Sequence, residues 1–217
     1  MTFSAGLFVS LEGCEGCGKS TQAKILYNKL LSINIPAILT REPGGTPLGN
    51  QVRDLLKVQR NFNINPLAEL FLFATARIQL VQDVIKPALF SGKVVICDRF
   101  ADSTAVYQGY GRGLDLTLIE SINKIATGEL QPDITLLLDT SPELGLQRKR
   151  NSKDDRFERE NADFHRKIRD GYLEMAQKEP VRWFVLKPGQ TIEEVSKLIW
   201  QYLLPFLKHK YPDMKYD

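Results

Sequence analysis

An eight-residue stretch, GCEGCGKS at 13–20, constrains this chain more than any other part of its sequence. It follows a short apolar run, LFVSL (7–11), and leads into a helical pattern, KSTQAKILYNKLLS (19–32). A glycine-rich turn between a strand and a helix brings backbone N–H groups close to an anion, and the helix N-terminus adds positive charge. The stretch fits the phosphate-binding pattern G-x-x-x-x-G-K-[ST]. The sequence therefore predicts a nucleotide-binding loop.

This loop supplies the first set of predicted site residues. Lys19 is expected to contact the β- and γ-phosphates of a nucleotide, and Ser20 to hold Mg²⁺. The other loop positions would bind phosphate oxygens through the backbone. The predicted nucleotide-binding residues are Gly13, Cys14, Glu15, Gly16, Cys17, Gly18, Lys19, Ser20 and Thr21.

The same stretch also contains Cys14 and Cys17 in a C-x-x-C spacing, which is found in redox and metal sites. A helix N-terminus would lower a cysteine pKa, but a zinc site needs a second pair of ligands. Cys97 lies far along the chain, and His165 and His209 fall in unrelated helical segments. The phosphate-loop interpretation is favoured, with the two cysteines as small residues at variable positions. Their sensitivity to oxidation stays an open question.

Short apolar runs alternate with helical patterns along the chain. The runs are LFVSL, AILT (37–40), KVVIC (93–97), ITLLLD (134–139) and RWFVL (182–186). The helical patterns cover 19–32, 66–90, 115–126, 142–150, 159–178 and 191–207, with Pro66 suited to a first turn. The runs show little polar–apolar alternation, as expected of strands covered on both faces. We therefore predict one α/β domain over 1–217, with a five-stranded parallel sheet between helices.

Composition limits the classes of protein that this chain can belong to. The 217 residues carry a net charge of +3, which is too small to indicate a nucleic-acid partner. The sequence has no run of 18 apolar residues and no secretory signal pattern, so neither a membrane span nor a membrane partner is expected. Three cysteines cannot form a full disulfide framework, and we expect a reduced, cytoplasmic protein.

An acidic residue at the end of the VVIC run is a candidate metal ligand. Asp98 closes this strand and is followed at once by Arg99. Such an acid beside a phosphate loop is a candidate Mg²⁺ ligand, and the arginine suits a second phosphate. Asp139 also closes an apolar strand, so a plain strand-capping role for Asp98 stays possible. No N-K-x-D guanine signature is present, which disfavours a GTPase switch.

A basic segment, QRKRNSKDDRFERE at 147–160, lies between the fourth strand and the following helix. Mixed charge of this kind usually marks a solvated helix face. Phosphoryl transfer, however, is catalysed largely by positioning and charge neutralisation. We therefore predict that 147–160 is a short basic lid over the transferring phosphates, and that the chain is a small-molecule phosphotransferase.

Several segments spread over the chain carry a family resemblance. They are LEGCEGCGKSTQ, TREPGGTPLG, FATARIQLV, IKPAL, DRFADSTAVYQGYGRG, PDITLLLD and DDRFERE. Together they resemble the thymidylate kinases, a branch of the P-loop nucleoside-monophosphate kinases, nearly end to end. The resemblance implies transfer of the γ-phosphoryl group of Mg-ATP to dTMP, giving dTDP and ADP in deoxythymidine nucleotide synthesis. It also implies a homodimer, with the 66–90 helix as the expected interface.

The resemblance also assigns roles to substrate-binding residues. Phe73 would stack on thymine, and Arg77, on the same helix face at i+4, would bond its O4 edge; core packing is the alternative for Phe73. Arg99 would hold the dTMP phosphate, with Arg53 a weaker candidate that could be a solvated helix arginine. The residues expected to line the thymine and deoxyribose side are Thr104, Tyr107 and Gln108. Gly109, Gly111 and Gly113 suggest a close-approach loop.

For catalysis, the resemblance implies Lys19, Arg99 and Glu12, the last orienting the acceptor phosphate or a Mg²⁺-bound water. Some members carry an arginine in the phosphate loop where this chain has Gly16. The catalytic cation is therefore expected from the lid, with Arg150 and Arg156 as candidates and Arg148 beside adenine. Two alternatives stay open, namely another nucleoside-monophosphate or deoxynucleoside kinase, and a non-catalytic nucleotide sensor.

Overall fold

A computed structural model describes residues 6–58, 62–149, 155–187 and 191–216. Within these residues, five strands form one parallel sheet in the order β2–β3–β1–β4–β5. The strands are β1 (Leu7–Glu12), β2 (Ala37–Arg41), β3 (Val94–Asp98), β4 (Ile134–Leu138) and β5 (Trp183–Leu186). The predicted α/β fold with a five-stranded parallel sheet is confirmed.

The helices connect these strands. They are α1 (Lys19–Ser32), α2 (Pro47–Lys57), α3 (Pro66–Leu80), α4 (Lys86–Phe90), α5 (Ala101–Thr104), α6 (Leu116–Thr127), α7 (Pro142–Lys149), α8 (Ala162–Lys178) and α9 (Ile192–Lys210). A π-helical segment, Val81–Ile85, joins α3 to α4, so the helix predicted over 66–90 is continuous. A second π-helical segment, Ala105–Gly111, extends α5, and a short 3₁₀ helix covers Arg156–Arg159.

The side chains of β1 explain why both faces of the sheet are covered. Leu7, Val9 and Leu11 are fully buried in one apolar cluster with residues of α1 and α9. Phe8 points to the other face, where it packs in a cluster with Leu89 of α4. A strand that is apolar on both faces contributes burial to two layers, at about 1.5–3 kcal/mol for each large side chain.

Two helical regions differ from the sequence prediction. Helix α2 was not among the helical patterns found in the sequence, yet Thr46 caps it by accepting from Gly49 N, and a proline occupies its first turn. The loop predicted at Gly109 and Gly111 is wrong, because both residues lie in the π-helical segment. A Cβ atom at Gly111 would lie 2.6 Å from the Phe164 ring, so close packing and not turn geometry requires glycine there.

The carboxyl ends of the strands face one edge of the sheet. The phosphate loop follows β1 directly, Glu42 follows β2 and Arg99 follows β3. In open parallel sheets, ligands bind at this edge. The fold therefore places the polar residues of three strand ends close together. None of the helices in the described ranges is both long and apolar enough to cross a membrane.

Candidate active site

A cavity of about 370 Å³ opens at the carboxyl edge of the sheet. Most residues predicted for the site line it: Glu15, Gly16, Gly18, Lys19, Ser20, Thr21, Arg53, Phe73, Arg77, Asp98, Arg99, Thr104, Tyr107, Gln108 and Arg148. Glu12, Gly13, Cys14, Cys17 and Arg156 are not among the lining residues. Arg150 lies outside the residues that the structure describes. The cavity is thus walled by residues of the phosphate loop and by residues that follow β2 and β3.

The phosphate loop has the backbone shape that its glycines predict. Gly13, Gly16 and Gly18 have positive φ angles of 137°, 68° and 99°, which L side chains rarely adopt. Lys19 is 7% exposed, and its Nζ donates to Gly13 O at 3.0 Å and to Cys14 O at 2.7 Å. The lysine therefore bonds across its own loop, and its ammonium group lies beside the backbone that is expected to receive phosphates.

The start of α7 packs against this loop through two glycines. A Cβ atom at Gly16 would lie 2.0 Å from Gly145 O, and one at Gly145 would lie 2.1 Å from Glu15 O. Neither position can carry a side chain unless one backbone moves. Glycine at 16 is therefore required by contact with α7 as well as by its φ angle.

Two oxygen ligands lie together at the edge of the cavity. Ser20 Oγ, on the first turn of α1, donates a hydrogen bond to Asp98 Oδ2 at the end of β3. Hydroxyl and carboxylate oxygens suit Mg²⁺, which binds proteins through few side chains and completes its shell with water and phosphates. The described part of the chain has no group of three or more His, Cys, Asp or Glu side chains that could hold a metal ion by itself. The donor set fits Mg²⁺ held partly by a nucleotide.

Arg99 is the most extensively bonded side chain of the site. Its φ of 72° is left-handed, a strained conformation for a residue with a side chain. The guanidinium group donates to Glu15 Oε1 at 2.9 Å, to Tyr107 OH at 3.0 Å and to Tyr172 OH at 3.0 Å. It also donates to Gly13 O at 2.8 Å, which ties it to the phosphate loop. These contacts fix one positive charge next to the loop.

The carboxyl group of Glu15 balances that charge. Its side chain is 10% exposed, and Tyr107 OH donates to Oε2 at 2.6 Å. Burial alone would raise the pKa of Glu15, but Arg99 and then Lys19 outweigh it and lower the pKa to about 2. Glu15 is therefore ionised at neutral pH, and it belongs to the site through its side chain as well as through its backbone.

Glu12 is buried behind Arg99. It is 0% exposed and accepts from Phe100 N at 2.7 Å, from Ser103 Oγ at 2.6 Å and from Tyr172 OH at 3.0 Å. Burial and then the neighbouring Asp102 raise its pKa to about 7, although Arg99 opposes this shift. Glu12 therefore contacts the residues that hold Arg99, and it stays apart from the cavity wall.

Arg77 and Phe73 occupy the side of the cavity formed by α3. Arg77 is 1% exposed and donates through Nε to Glu42 Oε2 at 2.8 Å, with Thr104 Oγ1 at 2.8 Å from Nη2. Its Nη1 donates to Asn123 Oδ1 at 2.7 Å. The half-buried Phe73 packs against Phe157 with ring centroids 6.1 Å apart. The guanidinium plane of Arg77 is thus held rigidly on the wall of the cavity.

Gln108 and Arg156 meet on one carboxylate that the sequence analysis did not single out. Glu69, in the first turn of α3, is 0% exposed. Gln108 Nε2 donates to its Oε1 at 2.7 Å, and Arg156 Nη2 donates to its Oε2. Arg156 Nε also donates to Leu56 O at 3.1 Å. Arg156, which the sequence analysis assigned to a lid, therefore binds α2 and α3.

The two remaining arginines predicted for the site differ in exposure. Arg53 is partly buried, and its Nη1 donates to Pro43 O at 2.9 Å. Burial, and secondarily the nearby Arg41, lower the pKa of Arg53. Arg148, on α7, is exposed at the cavity rim.

The three cysteines are free and buried. Burial, and secondarily Glu15, raise the pKa of Cys14 to about 12, which disfavours a reactive thiolate. Cys17 Sγ accepts a hydrogen bond from Lys19 Nζ at 3.4 Å, and Cys97 Sγ donates to Arg99 O at 2.9 Å. These environments fit small residues packed within a phosphate loop and a strand end.

Four residues of the site were not identified from the sequence. They are Glu42, Glu69, Ser103 and Tyr172. Ser103 lies within the segment DRFADSTAVYQGYGRG, which could have suggested it. Tyr172 lies on α8, 160 residues from Glu12 along the chain, and no local pattern marks it.

Comparison with known proteins gives one consistent result. The family model described as "Thymidylate kinase" matches residues 11–199. A thymidylate kinase from Dehalococcoides mccartyi is 48% identical over 202 residues, covering 93% of this chain and 98% of that protein. A thymidylate kinase from Geobacter sp. strain M21 is 46% identical over 205 residues, covering 91% of both proteins. The crystal structure of a thymidylate kinase from Ehrlichia chaffeensis matches with a TM-score of 0.76 at 34% identity, covering 91% of this chain and 98% of that one.

Proposed function

Because this chain belongs to the thymidylate kinase family, we propose that it transfers the γ-phosphoryl group of ATP to dTMP, giving dTDP and ADP. One observation carries the proposal. A single cavity joins the phosphate loop, with Lys19, to a second fixed cation, Arg99, and to an aromatic wall at Phe73. Two phosphorylated substrates that meet in one cavity need this arrangement of charges and an apolar surface for a base.

Each substrate phosphate has its own cation in this proposal. Lys19 and the backbone of the phosphate loop bind the phosphates of ATP, and Arg99 binds the phosphate of dTMP. The contact from Arg99 to Gly13 O at 2.8 Å keeps the two sites adjacent. A phosphate acceptor is already ionised near neutral pH, so the reaction needs no general base. Catalysis then rests on positioning and on charge neutralisation.

The thymine and deoxyribose groups occupy the α3 side of the cavity. We assign stacking on the base to Phe73, and a hydrogen bond to the O4 edge to Arg77. Thr104, Tyr107 and Gln108 also line the cavity, and we propose that Tyr107 or Gln108 excludes a ribose 2′-OH by steric contact. Arg53 is a second candidate for the dTMP phosphate.

A magnesium ion is part of the proposed donor substrate. Ser20 Oγ and Asp98 Oδ2 would hold it, because they are the adjacent oxygen ligands beside the phosphate loop. When bound, the ion neutralises charge on the β- and γ-phosphates. In the chain itself, Asp98 accepts the hydrogen bond that orients the Ser20 hydroxyl.

The lid is proposed to supply a further cation for the transferring group. Arg150 and Arg156 remain the candidates, with Arg148 beside the adenine. Arg150→Ala and Arg156→Ala should each be compared with Arg166→Ala, an exposed arginine of α8. Loss of a catalytic cation is expected to lower kcat by at least about 100-fold, while the Arg166→Ala control keeps the wild-type kcat. If both lid variants keep kcat, the cation lies elsewhere.

We further propose a homodimer that uses the outer face of α3. Leu67, Phe71 and Ile78 are spaced along one helix face and are 40%, 53% and 43% exposed. An apolar stripe of this kind is typical of an interface. Sedimentation should show that Phe71→Asp is a monomer, whereas Val181→Asp, at a more exposed site in a turn, stays dimeric. A wild-type monomer at micromolar concentration would contradict the proposal. The three free cysteines support a reducing, cytoplasmic location.

A coupled assay of ADP formation tests the proposed activity directly. ATP is supplied with dTMP, dUMP, UMP, AMP or thymidine, and dTMP is expected to give the highest kcat/KM. Lys19→Met is the control for contaminating kinases and should lose the activity. Turnover of UMP or thymidine equal to that of dTMP would favour another kinase. ATP binding without ADP formation on any acceptor would favour a nucleotide sensor.

A further inference from the structure

A fully buried carboxylate lies behind the wall of the base-binding side. Glu69 is 0% exposed, and its Oε1 accepts from Gln108 Nε2 at 2.7 Å and from Arg112 Nε at 3.3 Å. Its Oε2 accepts from Arg156. Both oxygens of this carboxyl group thus accept from N–H donors, two of them arginines. In this arrangement Glu69 is a fixed acceptor for the Gln108 amide.

This fixed acceptor decides how the Gln108 amide is turned. A glutamine amide has one donating end and one accepting end, and the NH₂ end of Gln108 is the one that donates to Glu69. The carbonyl end, Oε1, is then the free end of the side chain. Gln108 is 1% exposed and lines the cavity, and its Oε1 has no hydrogen-bond partner among the described residues. A buried acceptor without a partner is destabilising unless a ligand donates a hydrogen bond to it.

This free acceptor suits pyrimidine bases that carry a hydrogen-bond donor at N3. Thymine and uracil carry a donating N3–H, whereas cytosine has an accepting N3 at the same position. The Gln108 carbonyl oxygen would accept a hydrogen bond from N3–H of thymine or uracil. With cytosine, the same oxygen would face another acceptor, N3. Sites built to hydrogen-bond one group reject analogues that lack it, because a buried polar group is left unpaired.

We propose that Glu69 is a positioning residue for base selection, which holds the Gln108 amide so that its carbonyl oxygen receives the N3–H of the substrate base. The proposal rests on the function proposed above, because it assumes a pyrimidine monophosphate in this cavity. Glu69 acts through Gln108 and does not itself touch the base. The ligand class it selects is a pyrimidine with an imide N–H, and the class it excludes is cytosine.

Glu69→Gln tests this role with an almost unchanged side-chain shape. An amide at 69 can offer Gln108 either an oxygen or an NH₂ group, so the Gln108 amide is free to turn. The kcat/KM for dTMP relative to dCMP is expected to fall by roughly tenfold, the cost of one mispaired buried group. Arg77 is unchanged in this variant, so its contact with the base does not alter the ratio. Glu69→Asp, which keeps the charge but cannot reach Gln108, should act in the same direction if Glu69→Gln does not fold.

Two controls separate positioning from a general structural effect. Arg112→Gln removes one of the two arginines that contact the Glu69 carboxyl group. It leaves the hydrogen bond between Glu69 and Gln108, so this variant should keep the dTMP preference. In a Gln108→Leu background, Glu69→Gln should change the preference no further, because the side chain that it orients is absent. Thermal unfolding confirms that each variant is folded.

The ratio of Kd values for dTMP and dCMP, measured by calorimetry, gives a readout that needs no turnover. A preference within twofold of wild type in both Glu69 variants overturns the inference. A wild-type protein that binds dTMP selectively but forms no dTDP contradicts the proposed function and leaves the Kd ratio as the test of Glu69. Equal binding of dTMP and dCMP by the wild type also overturns the inference.

Discussion

Replacing Glu12 with glutamine should change how the stability of this protein depends on pH. Glu12 is fully buried between Phe100 N, Ser103 and Tyr172. Burial, followed by repulsion from Asp102, raises its pKa from an ordinary value of 4.5 to about 7. The folded chain therefore keeps a proton on Glu12 at pH values where the unfolded chain has released it.

The sign and size of the effect follow from that difference. Because the folded-state pKa is the higher one, the stabilising contribution is fully present below pH 4.5 and is lost as the pH rises through 7. A pKa difference of about 2.5 corresponds to about 3 kcal/mol of unfolding free energy. A glutamine at position 12 does not ionise and cannot show this loss. Between pH 5 and pH 8.5, the Glu12→Gln variant should gain about 2–3 kcal/mol relative to wild type.

Urea unfolding of both proteins at the two pH values measures this gain. The difference between variant and wild type is used, because all other titrating groups then cancel. Glu120→Gln, on an exposed glutamate that is 65% accessible, is the matched control and should give a constant difference. A Glu12→Gln difference that changes by less than about 0.5 kcal/mol between the two pH values would refute the assignment of a raised pKa.

Three further outcomes are expected. Gly145→Ala should raise the KM for ATP more than that for dTMP, since its methyl group would lie 2.1 Å from a phosphate-loop carbonyl oxygen. KM values equal to those of the wild type would show that the loop tolerates the added methyl group. Cys14→Ala/Cys17→Ala should keep most of the wild-type kcat under reducing conditions, and loss of turnover in a folded protein would restore the thiol hypothesis. Tyr172→Phe removes a hydroxyl 3.0 Å from Arg99, so kcat/KM for dTMP should fall about tenfold; unchanged kinetics would mean that the other partners suffice to hold the arginine.

Much of the fold was predictable because its signals are local. The strand–loop–helix context of GCEGCGKS and the apolar runs at the five strands depend on neighbouring residues alone. The two helical regions that were missed, α2 and 101–111, contain or follow glycines that normally mark turns. At Gly111 the glycine is required by the ring of Phe164, a contact from another helix that a local pattern cannot reveal.

The candidate site divides in the same way. The phosphate loop, Asp98 and Arg99 could be placed from sequence, because they end or directly follow β1 and β3, and parallel strands share one carboxyl edge. The roles of Phe73 and Arg77 came from family resemblance, and the structure lines the cavity with both. Glu69 and Tyr172 lie within helices whose sequences are ordinary apolar or amphipathic patterns. Nothing in those patterns indicated that their polar groups belong to the site.

The sequence by itself determined that this chain binds phosphates on a parallel α/β sheet, because glycine geometry, strand hydrophobicity and helix position are properties of short segments. Only the tertiary structure decided which charges are buried and what holds them. Glu12 and Tyr172 meet from positions 160 residues apart, and Glu69 and Arg156 from positions 87 apart. The free energy of a buried charge depends on its distance to partners and on the exclusion of water, and both are fixed when distant segments pack together.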